Sequence, residues 1–244
     1  MKTALLQLNV SDDPVANLPG TVQMVRQAVD MVSEFVLTPE VTNCLSTSRA
    51  HQKQVLRDEA QDATLVALRD IAAECGIHLL IGSLARTTND PAGRFAYRSF
   101  MIGPDGAVLA RYDKIHMFDV TLSETETYTE SSGYRPGSQA VLAQPAFAPV
   151  GMAVCYDMRF PKLAEALVAA GAQILTYPSA FSPVTGAAHW HSLLRARAIE
   201  AGAWVLAPAQ TGQHAGRAGA LRSTYGHSLA VDPWGEVVLD AGEA

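Results

Sequence analysis

The sequence predicts an α/β protein, a four-layer αββα sandwich in which two mixed β-sheets stack with an internal pseudo-two-fold repeat. Three observations predict this fold. Apolar segments typical of strands alternate with helical patterns, the order of these elements occurs twice, and each half ends in a hairpin. Because a hairpin introduces antiparallel neighbours, both sheets are expected to be mixed.

The first half is predicted to contain two strand–helix pairs, a third strand and then a hairpin. Residues 3–10 are expected to be a strand entering a loop, residues 29–40 a helix end and a strand, and residues 63–82 a helix and a strand. The hairpin Ser99–Tyr112 turns at residues 104–106. The helices are marked by apolar residues at intervals of three and four: Val22, Val25, Val29 and Val32, then Leu65, Leu68, Ile71, Ala72 and Cys75. Gly76 follows the second series and suits a left-handed helix end.

The same order of elements returns in the second half of the chain. A strand is expected over 150–157, a helix end and strand over 167–179, a helix and strand over 190–208, and a hairpin over 228–239. Two similar halves can bury their free sheet faces against each other, which predicts the four layers. The polar joining segment 113–147 is predicted to be a functional loop, and the glycine-rich stretch 211–222 a mobile loop near the site.

Composition narrows the possible functions. The chain has 244 residues, 48% of them hydrophobic, and a formal net charge of −6 without a basic block. Nucleic acids and anionic membranes are therefore not expected as partners, and no apolar stretch approaches the roughly 20 residues that span a bilayer. The N-terminal residues are too polar for a signal peptide, and three cysteines lack metal-ligand spacing. We expect one domain over residues 1–244, in the cytoplasm, with no metal and no cofactor.

Three reactive side chains follow apolar runs. Glu40 comes after residues 35–39, Lys114 after 108–112 and Cys155 after 150–154. In open α/β sheets, ligands bind beyond the carboxyl ends of the strands. A carboxylate, an ammonium and a thiol at such ends predict nucleophilic catalysis.

With these residues in place, the chain resembles the carbon–nitrogen hydrolase (nitrilase) superfamily over nearly its whole length. The resemblance is carried by Thr38-Pro-Glu40, Tyr112-Asp-Lys-Ile-His116 and Ala153-Val-Cys-Tyr-Asp-Met-Arg-Phe-Pro161, and more weakly by residues 188–190, 195–200, 225–228 and 232–235. It implies the αββα sandwich and a homodimer or higher homo-oligomer. Within the superfamily the motifs are most similar to the Nit amidase branch, which hydrolyses the terminal amide of ω-amido 2-oxo acids and of deaminated glutathione. Related chains continue past the second hairpin, so the C-terminal end of this chain is expected to be short or truncated.

The resemblance also implies roles for individual residues. Cys155 is expected to attack the amide carbonyl and form a thioester, with Glu40 carrying the proton. Lys114 and the backbone N–H of Tyr156 are expected to stabilise the oxyanion, and the ammonium to lower the pKa of the thiol. Glu130 matches the family's second glutamate, with Glu124 and Glu126 close by as alternatives.

Three further residues are hypothesised to contact the substrate. Arg159 could hold a substrate carboxylate through a two-pronged contact. Phe181 could form a wall of the pocket, and Thr185 is placed to assist in this branch. Cys75 is expected on a helix face, whereas Cys44, just past Glu40, is a candidate for the edge of the pocket.

Alternatives to the amidase remain at this stage. A nitrilase or an N-carbamoyl amide hydrolase would use the same chemistry, and a catalytically silent binding protein could share the fold. The partner in the enzymatic cases is a small-molecule amide, nitrile or carbamoyl compound. The histidines at positions 116, 189 and 227 are expected to be hydrogen-bonded framework residues and not metal ligands.

Overall fold

The first half of the chain forms a mixed five-stranded sheet. The computed structural model describes residues 1–121, 124, 127–217 and 222–243. The sheet has the order β1-β2-β3-β4-β5, parallel up to β3 and antiparallel thereafter. Its strands are β1 (Thr3–Leu5), β2 (Phe35–Leu37), β3 (His78–Arg86), β4 (Ala96–Ile102) and β5 (Val108–Asp113), and its helices are α1 (Pro14–Asp30), α2 (Arg49–Val55) and α3 (Ala63–Cys75).

The joining segment leads from this sheet to the second one. It contains the antiparallel pair β6 (Asp119–Thr121) and β7 (Thr127–Thr129), then a 3₁₀ turn over Glu130–Ser132. The segment ends in β8 (Val141–Ala143), which becomes an edge strand of the second sheet.

The second half forms a six-stranded sheet with the order β15-β14-β11-β10-β9-β8. Its strands beyond β8 are β9 (Val150–Met152), β10 (Ile174–Thr176), β11 (Trp204–Ala207), β14 (Leu229–Val231) and β15 (Val237–Asp240), and its helices are α4 (Pro161–Ala169) and α5 (Pro183–Ala201). A separate antiparallel pair, β12 (Thr211–His214) and β13 (Arg222–Tyr225), lies between β11 and β14 along the chain.

The predicted repeat is confirmed strand by strand. From β9 to β15 the second sheet runs parallel, parallel, antiparallel and antiparallel, as the first does from β1 to β5. Gly76 and Gly202 end the equivalent helices α3 and α5 with φ of 64° and 58°. The two halves therefore place equivalent strand ends in equivalent positions.

Alternating side chains produce the four layers. On β2, Val36 faces outwards and packs in one cluster with Val25 of α1 and Leu68 of α3. Leu37, its neighbour, faces inwards and shares a second cluster with Met152 of the other sheet. All five are fully buried. The predicted αββα sandwich is confirmed, because the helices cover the outer faces and the two sheets share the inner core.

One predicted loop is wrong in part. The stretch 211–222 was expected to be irregular because of its glycines, but residues 211–214 pair with 222–225 as β12 and β13, and 218–221 lie outside the described residues. Gly212 of β12 has a φ of 69°, in the left-handed region that glycine adopts readily. None of the described helices is long and apolar enough to cross a membrane.

Candidate active site

The three residues predicted from the strand ends line one cavity of about 300 Å³. Glu40 lies three residues beyond β2, Lys114 directly follows β5, and Cys155 lies three residues beyond β9. Glu40 and Lys114 therefore come from the first half of the duplicated fold, and the thiol comes from the second. Their exposed fractions are 3%, 1% and 7%, so the reactive groups are largely shielded from water.

A buried ammonium lies between two carboxylates in this cavity. Lys114 Nζ is 2.9 Å from Glu40 Oε1 and 2.9 Å from Glu130 Oε2. The second oxygen of Glu40 accepts a hydrogen bond of 2.9 Å from the backbone N–H of Ala180. Glu130 also accepts one of 2.7 Å from the N–H of Phe118. Each carboxylate is thus held by both an ion pair and a backbone donor.

The nucleophile lies on a turn with unusual backbone geometry. Cys155 has a φ of 49°, in the left-handed region that side chains with a Cβ rarely adopt. Its backbone N–H donates to the Pro178 carbonyl at 3.0 Å, and a hydrogen bond to the Glu40 carboxylate is one of the causes that raise the pKa of its thiol. Such local strain persists only when surrounding contacts enforce it, and it is concentrated at functional positions.

Asp157 enforces this turn and was not identified from the sequence. It is fully buried, and its carboxylate accepts hydrogen bonds from the Tyr112 hydroxyl at 2.7 Å and from the Val154 N–H at 2.8 Å. The backbone and ring nitrogens of His116 lie 3.0 and 2.7 Å from the same carboxylate. His116 is therefore a framework residue, as predicted. The signal that could have identified Asp157 was its place inside the cysteine motif.

The electrostatics of the site reverse one expectation. Burial raises the pKa of the Cys155 thiol, the charge of Glu40 raises it further, and Lys114 offsets only part of this effect. The pKa therefore lies well above that of an ordinary thiol, and not below it as the nearby ammonium suggested. The thiol is protonated at rest, and a hydrogen-bonded carboxylate is in place to remove its proton.

The charges of the other groups follow from the same contacts. Burial lowers the pKa of Lys114, but the charges of Glu130 and Glu40 outweigh it and raise the pKa well above its usual value. Burial and the charge of Glu40 raise the pKa of Glu130, although Lys114 opposes them. Lys114 thus keeps its positive charge throughout the range in which proteins are folded.

Among the three glutamates of the joining segment, the structure brings Glu130 into the site. Its carboxylate reaches Lys114 from the short 3₁₀ turn that follows β7. Glu124 is exposed, and Glu126 lies outside the described residues. Phe118, Tyr128 and Tyr134 of the same segment also line the cavity, so the segment forms much of its wall.

The three residues hypothesised to bind substrate differ in whether they line the cavity. Phe181 and Thr185 line the cavity, but Arg159 is not among the described residues that do. Its guanidinium lies 5.8 Å from the centre of the Phe181 ring, and one nitrogen is 3.1 Å from His189 Nδ1. Cys44 is buried with its sulfur 3.4 Å from the Asp12 carbonyl and is also absent from the described lining.

The polar residues of the lining that were missed from the sequence include Ser182 and Arg222. The hydroxyl of Ser182 and the Nε of Arg222 are buried without a hydrogen-bond partner among the described residues. Ser182 directly follows Phe181, which was predicted. Arg222 lies 67 positions after Cys155 in the chain, so no local sequence pattern links it to the site.

One group of side chains in the described part of the chain has metal-like spacing. His191, His227 and Asp240 offer ligand atoms within 4.8 Å of one another. Asp240 Oδ2 lies 2.9 Å from His191 Nε2, and its Oδ1 lies 2.9 Å from His227 Nδ1. Hydrogen bonds to one carboxylate account for the cluster, and the absence of a metal stays a prediction.

The sandwich fold and the cluster of thiol, carboxylate and ammonium define a class of protein, an enzyme equipped for nucleophilic hydrolysis. The chain belongs to the carbon-nitrogen hydrolase family, whose model matches residues 2–244. This confirms the resemblance drawn from the sequence motifs and identifies the protein as an amidase-type enzyme.

Named relatives agree with this assignment. Deaminated glutathione amidase of Yersinia enterocolitica is 39% identical over 96% of this chain and 80% of that protein. Human omega-amidase NIT2 is 34% identical over 99% of this chain and 84% of that protein. The crystal structure of Saccharomyces cerevisiae Nit3, a member of branch 10 of the nitrilase superfamily, matches all of this chain and 86% of that one, with a TM-score of 0.86 and 29% identity.

Proposed function

We propose that the protein hydrolyses the terminal carboxamide of a small carboxylate-bearing amide and releases ammonia, as a deaminated glutathione amidase or an ω-amidase. The observation that carries the proposal is the single cavity in which the Glu40 carboxylate pairs with the Lys114 ammonium and which the Cys155 thiol also lines. The names of the relatives support the choice of substrate.

In the acylation half of the reaction, Glu40 takes the thiol proton as the sulfur attacks the amide carbonyl. The raised pKa of Cys155 favours removal of the proton during the attack, because the free thiolate is unfavourable in this cavity. Glu40 then passes the proton to the amide nitrogen. The C–N bond breaks, ammonia leaves, and the acyl group stays on sulfur as a thioester.

In the deacylation half, Glu40 activates a water molecule. It removes a proton as the water oxygen attacks the thioester carbonyl, and it returns that proton to sulfur when the C–S bond breaks. The products are the carboxylic acid and the original thiol. No oxidant or cofactor enters this cycle.

Lys114 is assigned to the oxyanion of both tetrahedral intermediates, with the backbone N–H of Tyr156 as a second donor. The ammonium is fixed by two carboxylates before the substrate arrives, so it needs no reorganisation when negative charge develops. Glu130 keeps Lys114 in place and in its charged form.

Competing functions are separated by a side-by-side assay of ammonia release. The compounds are an ω-amido 2-oxo acid, deaminated glutathione, a neutral amide, a nitrile and an N-carbamoyl amino acid. We expect turnover of the first two and its loss by more than about 10³-fold in Cys155→Ala. Cys75→Ala, at a half-buried position on α3, is the matched control and should retain activity.

Three outcomes of this assay would contradict the proposal. Faster turnover of the nitrile or the carbamoyl compound would assign the chain to another branch of the same chemistry. Unchanged ammonia release by Cys155→Ala would remove the thiol from the mechanism, and no release from any compound would favour a silent binding protein.

We also propose that the protein acts in the cytoplasm as a homodimer. Exposed apolar side chains on the second half, including Ile199, Trp204, Val238 and Leu239, offer surface for a second copy. Light scattering in solution should give twice the chain mass of 26.0 kDa, and a monomer at micromolar concentration would contradict the dimer.

A further inference from the structure

We infer that Ser83 and Gln210 are positioning residues for Glu40, because together they fix the peptide bond that joins Glu40 to Val41. This inference rests on the proposed function, in which Glu40 carries the proton in both halves of the reaction. Neither Ser83 nor Gln210 belongs to the described lining of the cavity. Both therefore act through the backbone of Glu40 and not by touching the substrate.

The first observation is a strained residue directly after the proposed base. Val41 has a φ of 54°, in the left-handed region, and it is only 5% exposed. This conformation is unfavourable for a β-branched residue, because its Cβ substituents crowd the backbone. Such strain persists only where surrounding contacts enforce it. The structure must therefore contain contacts that hold Val41 in place.

The second observation is that both ends of the preceding peptide bond are held. Gln210 Nε2 donates to the Glu40 carbonyl at 3.0 Å, and the Val41 N–H donates to Ser83 Oγ at 3.0 Å. Ser83 and Gln210 are both fully buried. Because a peptide unit is planar, fixing its carbonyl oxygen and its N–H fixes the orientation of the whole plane. These two hydrogen bonds therefore enforce the φ of Val41.

The two positioning residues are themselves anchored, one in each half of the fold. Ser83 lies on β3, and its carbonyl accepts a hydrogen bond of 2.9 Å from the Thr42 N–H. Gln210 lies between β11 and β12, and its Oε1 accepts one of 3.3 Å from the Val10 N–H. The turn that carries Glu40 is thus fixed relative to both halves.

Rotation of this peptide plane would displace the carboxylate of Glu40. Relief of the strain at Val41 requires the plane to turn, and then either the Glu40 side chain or the chain after Val41 has to move. The following residue is held, because the Thr42 hydroxyl donates to the Pro39 carbonyl at 2.7 Å and its N–H is bonded to β3. The Glu40 side chain would move instead, away from Lys114 Nζ at 2.9 Å.

The test measures kcat and KM for an ω-amido 2-oxo acid in Ser83→Ala and in Gln210→Met, which keeps the volume and removes both side-chain hydrogen bonds. We expect kcat to fall roughly tenfold or more in each with little change in KM, because misplacing a reacting group by about 1 Å can cost roughly 100-fold in rate. The double variant should be little worse than the less active single variant, since either change releases the same peptide bond. Gln7→Met is the matched control, because the Gln7 amide also bonds to the backbone at both ends, at Gly242 and Ser228, away from the described lining.

A rescue experiment separates positioning from ordinary structural support. Glycine adopts a positive φ without strain, so Val41→Gly should make the enforcing contacts less important. In the Val41→Gly background, the loss of kcat caused by Ser83→Ala or Gln210→Met should shrink to less than about threefold. A merely structural role predicts an equal or larger loss there, because a second cavity adds to the first. Such a loss would overturn the inference, and so would a wild-type kcat in Ser83→Ala.

A measurement without substrate separates this inference from the proposed function. The rate at which iodoacetamide alkylates Cys155, followed by peptide mapping, reports how well Glu40 takes the thiol proton. Alkylation should slow in Ser83→Ala and in Gln210→Met and keep the wild-type rate in Gln7→Met. If no amide is hydrolysed while alkylation responds in this way, the proposed function fails and the positioning of Glu40 stands. If amides are hydrolysed and neither variant slows alkylation, the positioning role fails and the proposed function stands.

Discussion

Lys114 is the residue on which the electrostatics of the site depend. It is 1% exposed, and its ammonium compensates the buried carboxylate of Glu40 and the partly buried carboxylate of Glu130 at once. Isolated charges are strongly disfavoured in a protein interior, whereas a closed set of ion pairs and backbone hydrogen bonds is tolerated. The ammonium is therefore both the oxyanion donor of the proposed mechanism and a condition for the site to fold.

Replacing Lys114 with methionine should consequently lower stability as well as activity. The substitution leaves Glu40 and Glu130 facing each other without a cation, a change that typically costs about 3–5 kcal/mol. Urea unfolding measures the loss, and Lys162→Met, at an exposed position on α4, is the control. A variant as stable as the wild type would show that the two carboxylates do not depend on the ammonium.

The pKa of Glu130 predicts the acidic limb of the activity profile. Because burial and Glu40 raise that pKa above its usual value of about 4.3, Glu130 gains a proton at a higher pH than an exposed glutamate does. Activity should be present above the raised pKa and should fall as the pH drops through it, since protonated Glu130 no longer pairs with Lys114. The measurement is log kcat/KM against pH.

Glu130→Gln mimics the protonated form and provides the comparison for this profile. The Glu130→Gln variant should have a lower kcat at neutral pH. Its pH profile should lack the acidic limb that protonation of Glu130 causes in the wild type. Glu124→Gln, at an exposed position of the same segment, should behave as the wild type. If Glu130→Gln keeps the wild-type limb, another group causes it.

At this scale the sequence identified the groups that are proposed to react and missed most of the groups that hold them. Glu40, Lys114 and Cys155 were predictable because each lies within three residues of the end of a strand, and strand ends meet at one sheet edge. Ser182 and Arg222 were not predictable. What distinguishes each of them is a buried polar atom without a hydrogen-bond partner among the described residues, and no sequence motif indicates that. Such a property appears only when burial and distances are known.

Among the elements, β3 packs closely against the turns that carry Glu40 and Cys155. A Cβ on Gly82 of this strand would lie 2.1 Å from the Thr38 carbonyl oxygen and 2.4 Å from Pro178 Cβ. Thr38 leads into Glu40, and the Pro178 carbonyl accepts the Cys155 N–H at 3.0 Å. The two catalytic turns, one from each half, therefore converge on a single glycine.

Gly82→Ala should disturb both turns together. The added methyl group meets backbone and proline atoms that cannot move away easily, so we expect a loss of about 1–3 kcal/mol in unfolding free energy and a lower kcat. Gly20→Ala is the matched control: nothing lies within 4 Å of its Cβ, and alanine within helix α1 should stabilise by about 0.5–1 kcal/mol. Equal stability of the two variants would contradict the close approach.

Elements with clear periodicity were predicted well, and the segments between them less well. The helix around Leu68 and the hairpin 99–112 have the expected positions because their apolar spacing and turn residues are local signals. The stretch 211–222 was misjudged because its pairing as β12 and β13 tolerates glycine at a positive φ, whereas glycine content suggested a loop.

For the whole molecule, duplication explains why the site lies where it does. Each half alone has the same edge of strand ends, and stacking the sheets brings the two edges together around one cavity. The first half contributes Glu40 and Lys114, and the second contributes Cys155 and the α5 end. The repeat was visible in the order of elements, but the distances between the halves depend on packing across the inner core and could not be predicted.

Intact-mass spectrometry after rapid acid quench tests most directly whether the sulfur of Cys155 becomes acylated. During turnover of an ω-amido 2-oxo acid, the account predicts a protein species heavier by the acyl group, located by peptide mapping on Cys155 and missing in Cys155→Ala. Ammonia release at an undiminished rate, with no acylated protein at any quench time and with activity kept by Cys155→Ala, would contradict the thioester mechanism.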